Sequence, residues 1–145
     1  MSLFSSLSVS ASGMSAQRVR AELLVENLAN AETTRTPEGG PYRRRDVVFQ
    51  PDNVESPFAG VLADQMNSGS VGVTVSDIMT DESAPERRYL PGHPDAGPDG
   101  YVAFPKLNPA EEMVDLMGAS RSYQANVASM TSVKEMLQRS IDLLK

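Results

Sequence analysis

The sequence predicts a mainly α-helical, elongated fold: long N- and C-terminal helices forming a coiled-coil-like pair, with a small antiparallel β region between them. Three observations carry this. All ten prolines lie between Pro37 and Pro109, and eight of the ten glycines lie between Gly39 and Gly100. Because proline inside a helix costs about 3 kcal/mol, long helices are confined to the two ends. In both ends apolar residues recur at alternating spacings of three and four, the period of a helical seam. Charge divides the same way: residues 1–36 balance and residues 109–145 carry −1, leaving −5 of the formal net charge of −6 to residues 37–108. The predicted organisation is therefore an N-terminal helical arm over 1–36, a Pro/Gly-rich β and loop region over 37–108, and a long helix over 109–145.

The C-terminal helix has the clearest start. Asn108 is a good N-cap, Pro109 suits the first helical position, and Glu111 stands where a capping-box carboxylate belongs. Glu111, Glu112 and Asp115 place acid in the first turns and Lys145 closes the chain, as the helix dipole favours. Its predicted seam is Met113, Leu116, Ser120, Tyr123, Val127, Met130, Lys134, Leu137, Ile141 and Leu144, with Ser120 and Lys134 as defects and Val133 beside the second. The N-terminal arm repeats the pattern more weakly, through Phe4, Leu7, Ala11, Met14, Arg18, Ala21, Val25 and Leu28. Serine and Gly13 lower the intrinsic helicity of its first half. The small-residue patches Ala11-Ser12-Gly13 and Gly118-Ala119-Ser120 read as places where helices approach closely.

Length bears on shape. A continuous helix from 109 to 144 spans about 54 Å at 1.5 Å per residue, against a diameter of about 40 Å for a compact chain of this size. Either the helix breaks, near Gly118, or the molecule is elongated. Ordering each residue costs about 1–2 kcal/mol, more than one apolar stripe recovers alone. The two ends are therefore expected to be poorly ordered in the free chain and to fold on assembly.

Between the helices, Tyr42 to Phe49 reads as one strand. Val71, Val73 and Val75 alternate with Gly72, Thr74 and Ser76 as a half-buried strand running to about Met79. Arg88–Leu90 and Tyr101–Phe104 bracket a proline-glycine loop from Pro91 to Gly100, in which Asp99-Gly100 is a turn pair. Residues 51–70 read as loop.

Composition excludes most chemistry. With no Cys, no Trp and one His among 145 residues, disulfides, thiolate zinc sites, Cys nucleophiles and His-pair metal sites are ruled out. A net charge of −6 is the wrong sign for gripping phosphates, so no nucleic-acid partner is expected. No stretch approaches the ~20 apolar residues of a membrane span, and the serine-rich start has no basic residue before Arg18, unlike a secretory signal. His93, Asp95 and Asp99 could bind a metal or form a base with its orienting carboxylate, but a rigid surface turn is the stronger reading. Arg43-Arg44-Arg45 reads either as a grip on an acidic partner or a phosphate, or, more readily in a chain of net −6, as solvated charge at the start of a strand. No catalytic residue, metal or cofactor is expected.

Ala11-Ser-Gly-Met-Ser-Ala-Gln17, followed by Glu26-Asn27-Leu-Ala-Asn30-Ala31, resembles the N-terminal signature of the bacterial flagellar rod and hook protein family. Gly39-Gly-Pro-Tyr42-Arg, Val47-Val-Phe49, Tyr89-Leu-Pro-Gly-His93-Pro-Asp-Ala96, Gly100-Tyr-Val and Glu112-Met-Val…Ala119-Ser-Arg-Ser-Tyr123-Gln-Ala-Asn126 are similar to its proximal-rod members. The resemblance spans most of the chain in the right order; residues 51–70 match nothing and look like a variable insert. It implies a non-enzymatic building block of the proximal rod that assembles helically, transmits torque and encloses an export channel. It further implies passage through the flagellar type III export apparatus without a cleaved signal, and residence in the periplasmic rod of the basal body. The implied neighbours are copies of the chain, other rod subunits, the membrane-ring protein and the rod-base adaptor.

Asn27, Leu28, Ala29 and Asn30 match the family's N-terminal motif, and Ser120, Arg121, Ser122, Tyr123, Gln124 and Asn126 its C-terminal one. Subunit contacts are expected at Leu7, Met14, Asn27, Leu28 and Asn30, and at Met113, Leu116, Tyr123, Gln124, Asn126, Val127, Met130, Leu137 and Ile141. Asn27 and Asn30 lie on one helical face near a helix end, where amides satisfy free backbone groups. Arg18 and Lys134, the polar misfits, are expected to set register or reach a carboxylate on a neighbour. The alternative reading is a soluble coiled-coil adaptor that binds a partner helix in a complex of fixed stoichiometry; an enzyme built on His93 and Asp95 is a distant third.

Overall fold

The computed structural model describes residues 3–52 and 71–143. Helix α1 runs Leu3–Ala29, strands β1 Arg45–Asp52, β2 Gly72–Thr80, β3 Glu86–Tyr89 and β4 Tyr101–Phe104 follow, and helix α2 runs Pro109–Asp142. The two helices lie antiparallel along each other: Ser10 meets Ser129, Gly13 meets Asn126, Arg20 reaches Asp115 and Asn27 bonds Glu112. α1 also packs on β1 and β2. The variable insert proposed for 51–70 lies outside the described residues except for Pro51 and Asp52, which belong to β1.

α2 starts as its sequence dictates. The Asn108 side chain accepts from the Ala110 N–H at 3.1 Å, and its amide donates to Glu111 at 3.1 Å. This differs from the capping box in two respects: Asn108 accepts from the second helical residue rather than the third, and Glu111 receives the side chain of Asn108 rather than its backbone N–H. The helix is unbroken through Gly118, and its 34 residues make a rod of about 51 Å. Of the two options posed by its length, the elongated molecule is the one formed.

The seam between the helices keeps Leu116, Met130 and Leu137 of the predicted stripe, while its other positions fall one residue earlier, on Glu112, Ala119, Asn126 and Val133. Buried or half-buried positions of α2 are Glu112, Asp115, Leu116, Ala119, Asn126, Met130, Val133 and Leu137, while Met113, Ser120, Val127, Lys134 and Ile141 stand exposed. Ser120 is thus outside the helix pair, Lys134 stands exposed at the mouth of the groove that it lines with Leu7, and Val133 is the buried member (5% exposed). In α1 the outcome is the same: Leu7, Met14, Ala21 and Leu28 of the predicted stripe are half-buried, whereas Phe4, Ala11, Arg18 and Val25 are exposed. Ser10, Leu24 and Asn27, one residue before Ala11, Val25 and Leu28, are buried. Gly13 explains the preference for small residues in this seam, because a Cβ there would sit 3.0 Å from the Asn126 amide nitrogen. Gly118 meets nothing within 4 Å, so the close approach read for the second patch involves Ala119 and not the glycine.

The β region is two separate antiparallel pairs, β1–β2 and β3–β4, rather than one sheet. Tyr42 stays out of β1 because its N–H donates to the Thr33 carbonyl (3.0 Å) and its hydroxyl to Asn27 (2.9 Å), so pairing begins at Arg45. A register shift between Val48 and Phe49, opposite Ser76, breaks the alternation of β2. Val75 is half-buried but Val71 and Val73 are exposed, unlike the predicted half-buried pattern. The Asp99-Gly100 turn forms as expected, with Gly100 at φ +78°, a left-handed conformation, beneath the Tyr89 ring, which a Cβ would meet at 2.8 Å. Tyr89 in turn stands edge-on to Tyr101, ring centroids 5.3 Å apart.

Candidate assembly interface

The C-terminal end of α1 and the N-terminal end of α2 are joined by a buried polar clasp. Asn27, with no exposed surface, spends its amide on three elements. Its Nδ2 donates to the Arg45 carbonyl (2.8 Å) and to Glu112 Oε2 (3.0 Å). Its Oδ1 accepts from the Arg45 N–H and from the Tyr42 hydroxyl, both at 2.9 Å. Asn27 therefore pairs with the backbone of β1 like one more strand residue, from a helix. The Glu112 carboxylate, 3% exposed, is completed by the Arg44 guanidinium, which also donates to Asp46 at 3.1 Å. Burial works against the Arg44 charge, but its hydrogen bonds to Glu112 and Asp46 and their charges prevail, holding the guanidinium more firmly protonated than usual. Burial pushes the Tyr42 phenol up from its ordinary value, reinforced by Glu26 and opposed by Arg45.

Asn30 behaves as chain-end chemistry predicts: its amide donates to the Glu26 carbonyl at 2.9 Å, and its oxygen accepts from the Thr33 hydroxyl at 3.2 Å. Of the basic run, Arg44 serves Glu112, Arg45 pairs with Glu26 at 3.0 Å, and Arg43 makes no ion pair among the described residues. Arg18 finds its carboxylate on its own helix, Glu22 at 2.9 Å, and both side chains are exposed.

The proline-glycine loop is fastened to the α1–β1 connection. Thr34 Oγ1 donates to Asp95 at 2.8 Å, and Arg35 lies 3.7 Å from the same carboxylate. His93 Nδ1 accepts the Asp95 N–H at 3.1 Å, and the ring lies near Phe104. These residues position a loop.

The outer surface of α2 carries a second stripe beside the buried seam. Met113, Met117, Ser120, Gln124, Val127, Thr131 and Lys134 recur four and three apart, and Met113, Met117 and Val127 are 52%, 53% and 42% exposed. Tyr123 and Ile141 are exposed nearby. The fourteen residues expected to contact neighbours thus fall into three groups. Met113, Tyr123, Gln124, Val127 and Ile141 are exposed. Leu7, Met14, Leu28, Asn30, Leu116, Asn126, Met130 and Leu137 are half-buried, several between the helices, and Asn27 is wholly engaged within its own chain. Sequence reasoning missed Tyr42, Arg44 and Glu112 as a unit. Glu112 passed for a helix-dipole acid, although its spacing to Leu116 and Ala119 places it in the buried register. No helix among the described residues is long and apolar enough to cross a membrane.

Comparison with known proteins identifies what this architecture belongs to. The C-terminal family model of flagellar basal body rod FlgEFG proteins matches residues 99–143, the span of β4 and α2. A "flagellar basal-body rod protein FlgC" of Bacillus subtilis is 45% identical over 152 aligned positions, covering all of both chains. The protein of that name from Borreliella burgdorferi is 40% identical, covering 100% of this chain and 99% of its own. The one from Salmonella typhimurium is 35% identical, covering 99% and 98%. Each of these names describes a rod component and none an enzyme. With full-length identity at this level, and with the clasp and both terminal helices inside the aligned span, the chain belongs to the FlgC family of flagellar basal-body rod proteins.

Proposed function

We propose that the chain is a structural subunit of the proximal rod, assembling helically through its terminal helices so that the rod transmits torque and encloses an export channel. The observation that carries this reading is the exposed apolar stripe of α2 lying directly beside the buried helix seam. Besides the side chains that the helix pair buries, α2 carries a further set of large apolar side chains that face outward. Met113, Val127 and Ile141, with Tyr123 and Gln124, are the contacts offered to neighbours; Leu7, Met130 and Leu137 line the groove between the helices and are reachable at its mouth. In this reading the partners are further copies, other rod subunits, the membrane-ring protein and the rod-base adaptor. The chain travels through the type III export apparatus without a cleaved signal and resides in the periplasmic part of the basal body.

A Bacillus subtilis strain lacking its own relative provides the test. The wild-type chain is expected to enter basal bodies and restore swimming. Met117→Glu with Val127→Glu is expected to abolish both while leaving the helical circular dichroism of the purified chain unchanged. Full motility with the charged stripe, or a wild-type chain found only in a soluble complex of fixed stoichiometry, would overturn the reading.

A further inference from the structure

Two surfaces of this chain are opposite in charge and similar in length, yet β2 and α2 make no contact within one copy. The first is the outer stripe of α2. Residues 116–134 hold Arg121 and Lys134 and no acidic residue, in a chain whose net charge is −6. On the helix these cations flank opposite sides of the strip that carries Met117 and Val127. The second surface is the end of β2 with the residues that follow it, where Asp46, Asp77, Met79, Asp81 and Glu82 line one shallow depression with Arg44. Residues 71–82 hold Asp77, Asp81 and Glu82 and no basic residue. Met79 projects from that surface, 60% exposed, with Asp77 two residues away on the same side and Asp46 directly across the strand pair. The dimensions agree: nine strand residues span about 30 Å at 3.3 Å each, and residues 116–134 of the helix span about 27 Å.

Resting on the rod reading above, we propose that the outer stripe of α2 receives the β2 face of a second copy of this chain. Met79 seats against Met117 and Val127, while Asp77 and Glu82 meet Arg121 and Lys134. Because the two surfaces differ, each contact leaves one free surface of each kind at the ends of the pair. The association is head-to-tail and continues as an open helical array unless a rotation closes it. The apolar knob supplies the buried centre, and the rim charges fix register and exclude wrong partners.

The absence of cysteine makes cross-linking clean. A tagged Met79→Cys copy and a differently tagged Val127→Cys copy are co-expressed in the Bacillus subtilis strain described above. Basal bodies are purified and treated with a short bifunctional thiol cross-linker. A mixed dimer carrying both tags is the expected product, with none when Leu143→Cys, 87% exposed, replaces Val127→Cys. Adding Asp77→Lys and Glu82→Lys to the first copy should reduce the mixed dimer at least tenfold, and adding Arg121→Glu and Lys134→Glu to the second should restore it. Basal bodies that contain both copies but yield no mixed dimer, or a yield indifferent to the charge changes, overturn this contact alone. Absence of both copies from basal bodies overturns the rod reading and the contact with it.

Discussion

Asn27 concentrates the fold's specificity at a single amide. All of its donors and acceptors have partners, on β1, on α2 and on the connection between α1 and β1, so truncation leaves several buried polar groups unsatisfied at once. Each such group costs about 1–3 kcal/mol; Asn27→Ala is expected to lower stability by about 3 kcal/mol or more, measured by urea unfolding. Glu112→Ala strands Arg44 in the same site and should cost about 3 kcal/mol, at the lower end of what breaking a buried ion pair costs, because Arg44 keeps about a quarter of its side-chain surface in water. Replacing both members, Glu112→Met with Arg44→Met, should cost clearly less than the sum of the single changes, since neither charge is left alone. Additive losses in that cycle would mean that the pair contributes no coupling. Asn27 was legible as important from its motif, but its partners were not. Arg44 and Glu112 are 68 positions apart, and nothing local distinguishes Arg44 from Arg43 and Arg45 beside it.

At the scale of the element, the period of each helix was legible but the buried phase only in part, and α1 ends at Ala29, short of the arm expected over 1–36. α2 bears Met113, Val114, Leu116 and Met117 within five positions, so apolar residues occupy adjacent stripes and periodicity fixes the stripe only to within one residue. Size misleads further. The intrachain seam takes Ala119, Asn126, Gly13 and Ser10 beside Leu24, Leu116 and Val133, because the helices approach closely at the small positions, while Met113, Met117 and Val127 face outward. The strands were legible by their β-branched runs. β4 forms over Tyr101–Phe104 as read, but the start of β1 was not legible, because Tyr42 is held by α1, nor was the register shift at Ser76, which follows from pairing and not from local propensity.

Gly13 tests the close approach directly. Gly13→Ala gains about 1 kcal/mol of helix propensity and crowds the end of the Asn126 side chain, which can swing from its 3.1 Å bond to the Ser122 carbonyl. Its net effect on the midpoint of thermal unfolding should be small. Gly13→Val keeps the crowding, loses the propensity gain and adds branches; it should destabilise by about 1–3 kcal/mol. Equal tolerance of both would show that the helices are not in close contact at this level.

Across the whole molecule, stability is distributed unevenly along the helix pair. At one end Asn27, Glu112, Leu23 and Leu24 are buried and β1 is tied in by the clasp. Toward the other end, past Gly13 and Asn126, the side chains less than a tenth exposed among the described residues are Ser10 and Val133, and Phe4, Ile141 and Leu143 stand open to solvent. Two seams in a lone hairpin cannot offset the ordering of long helices at about 1–2 kcal/mol per residue, so the deficit falls where burial is least. The expectation of ends that order on assembly therefore becomes a gradient. In a dilute solution of the free chain, amide hydrogen exchange should be slowest around residues 23–28, 45–48 and 112–119, and should accelerate steadily toward residues 3–9 and 134–143. In basal bodies, where the outer stripe of α2 is covered, protection should extend along both helices. Uniformly slow exchange in the free chain would show that the hairpin is stable without neighbours, and the exposed stripe would then add contacts to a finished fold instead of completing one.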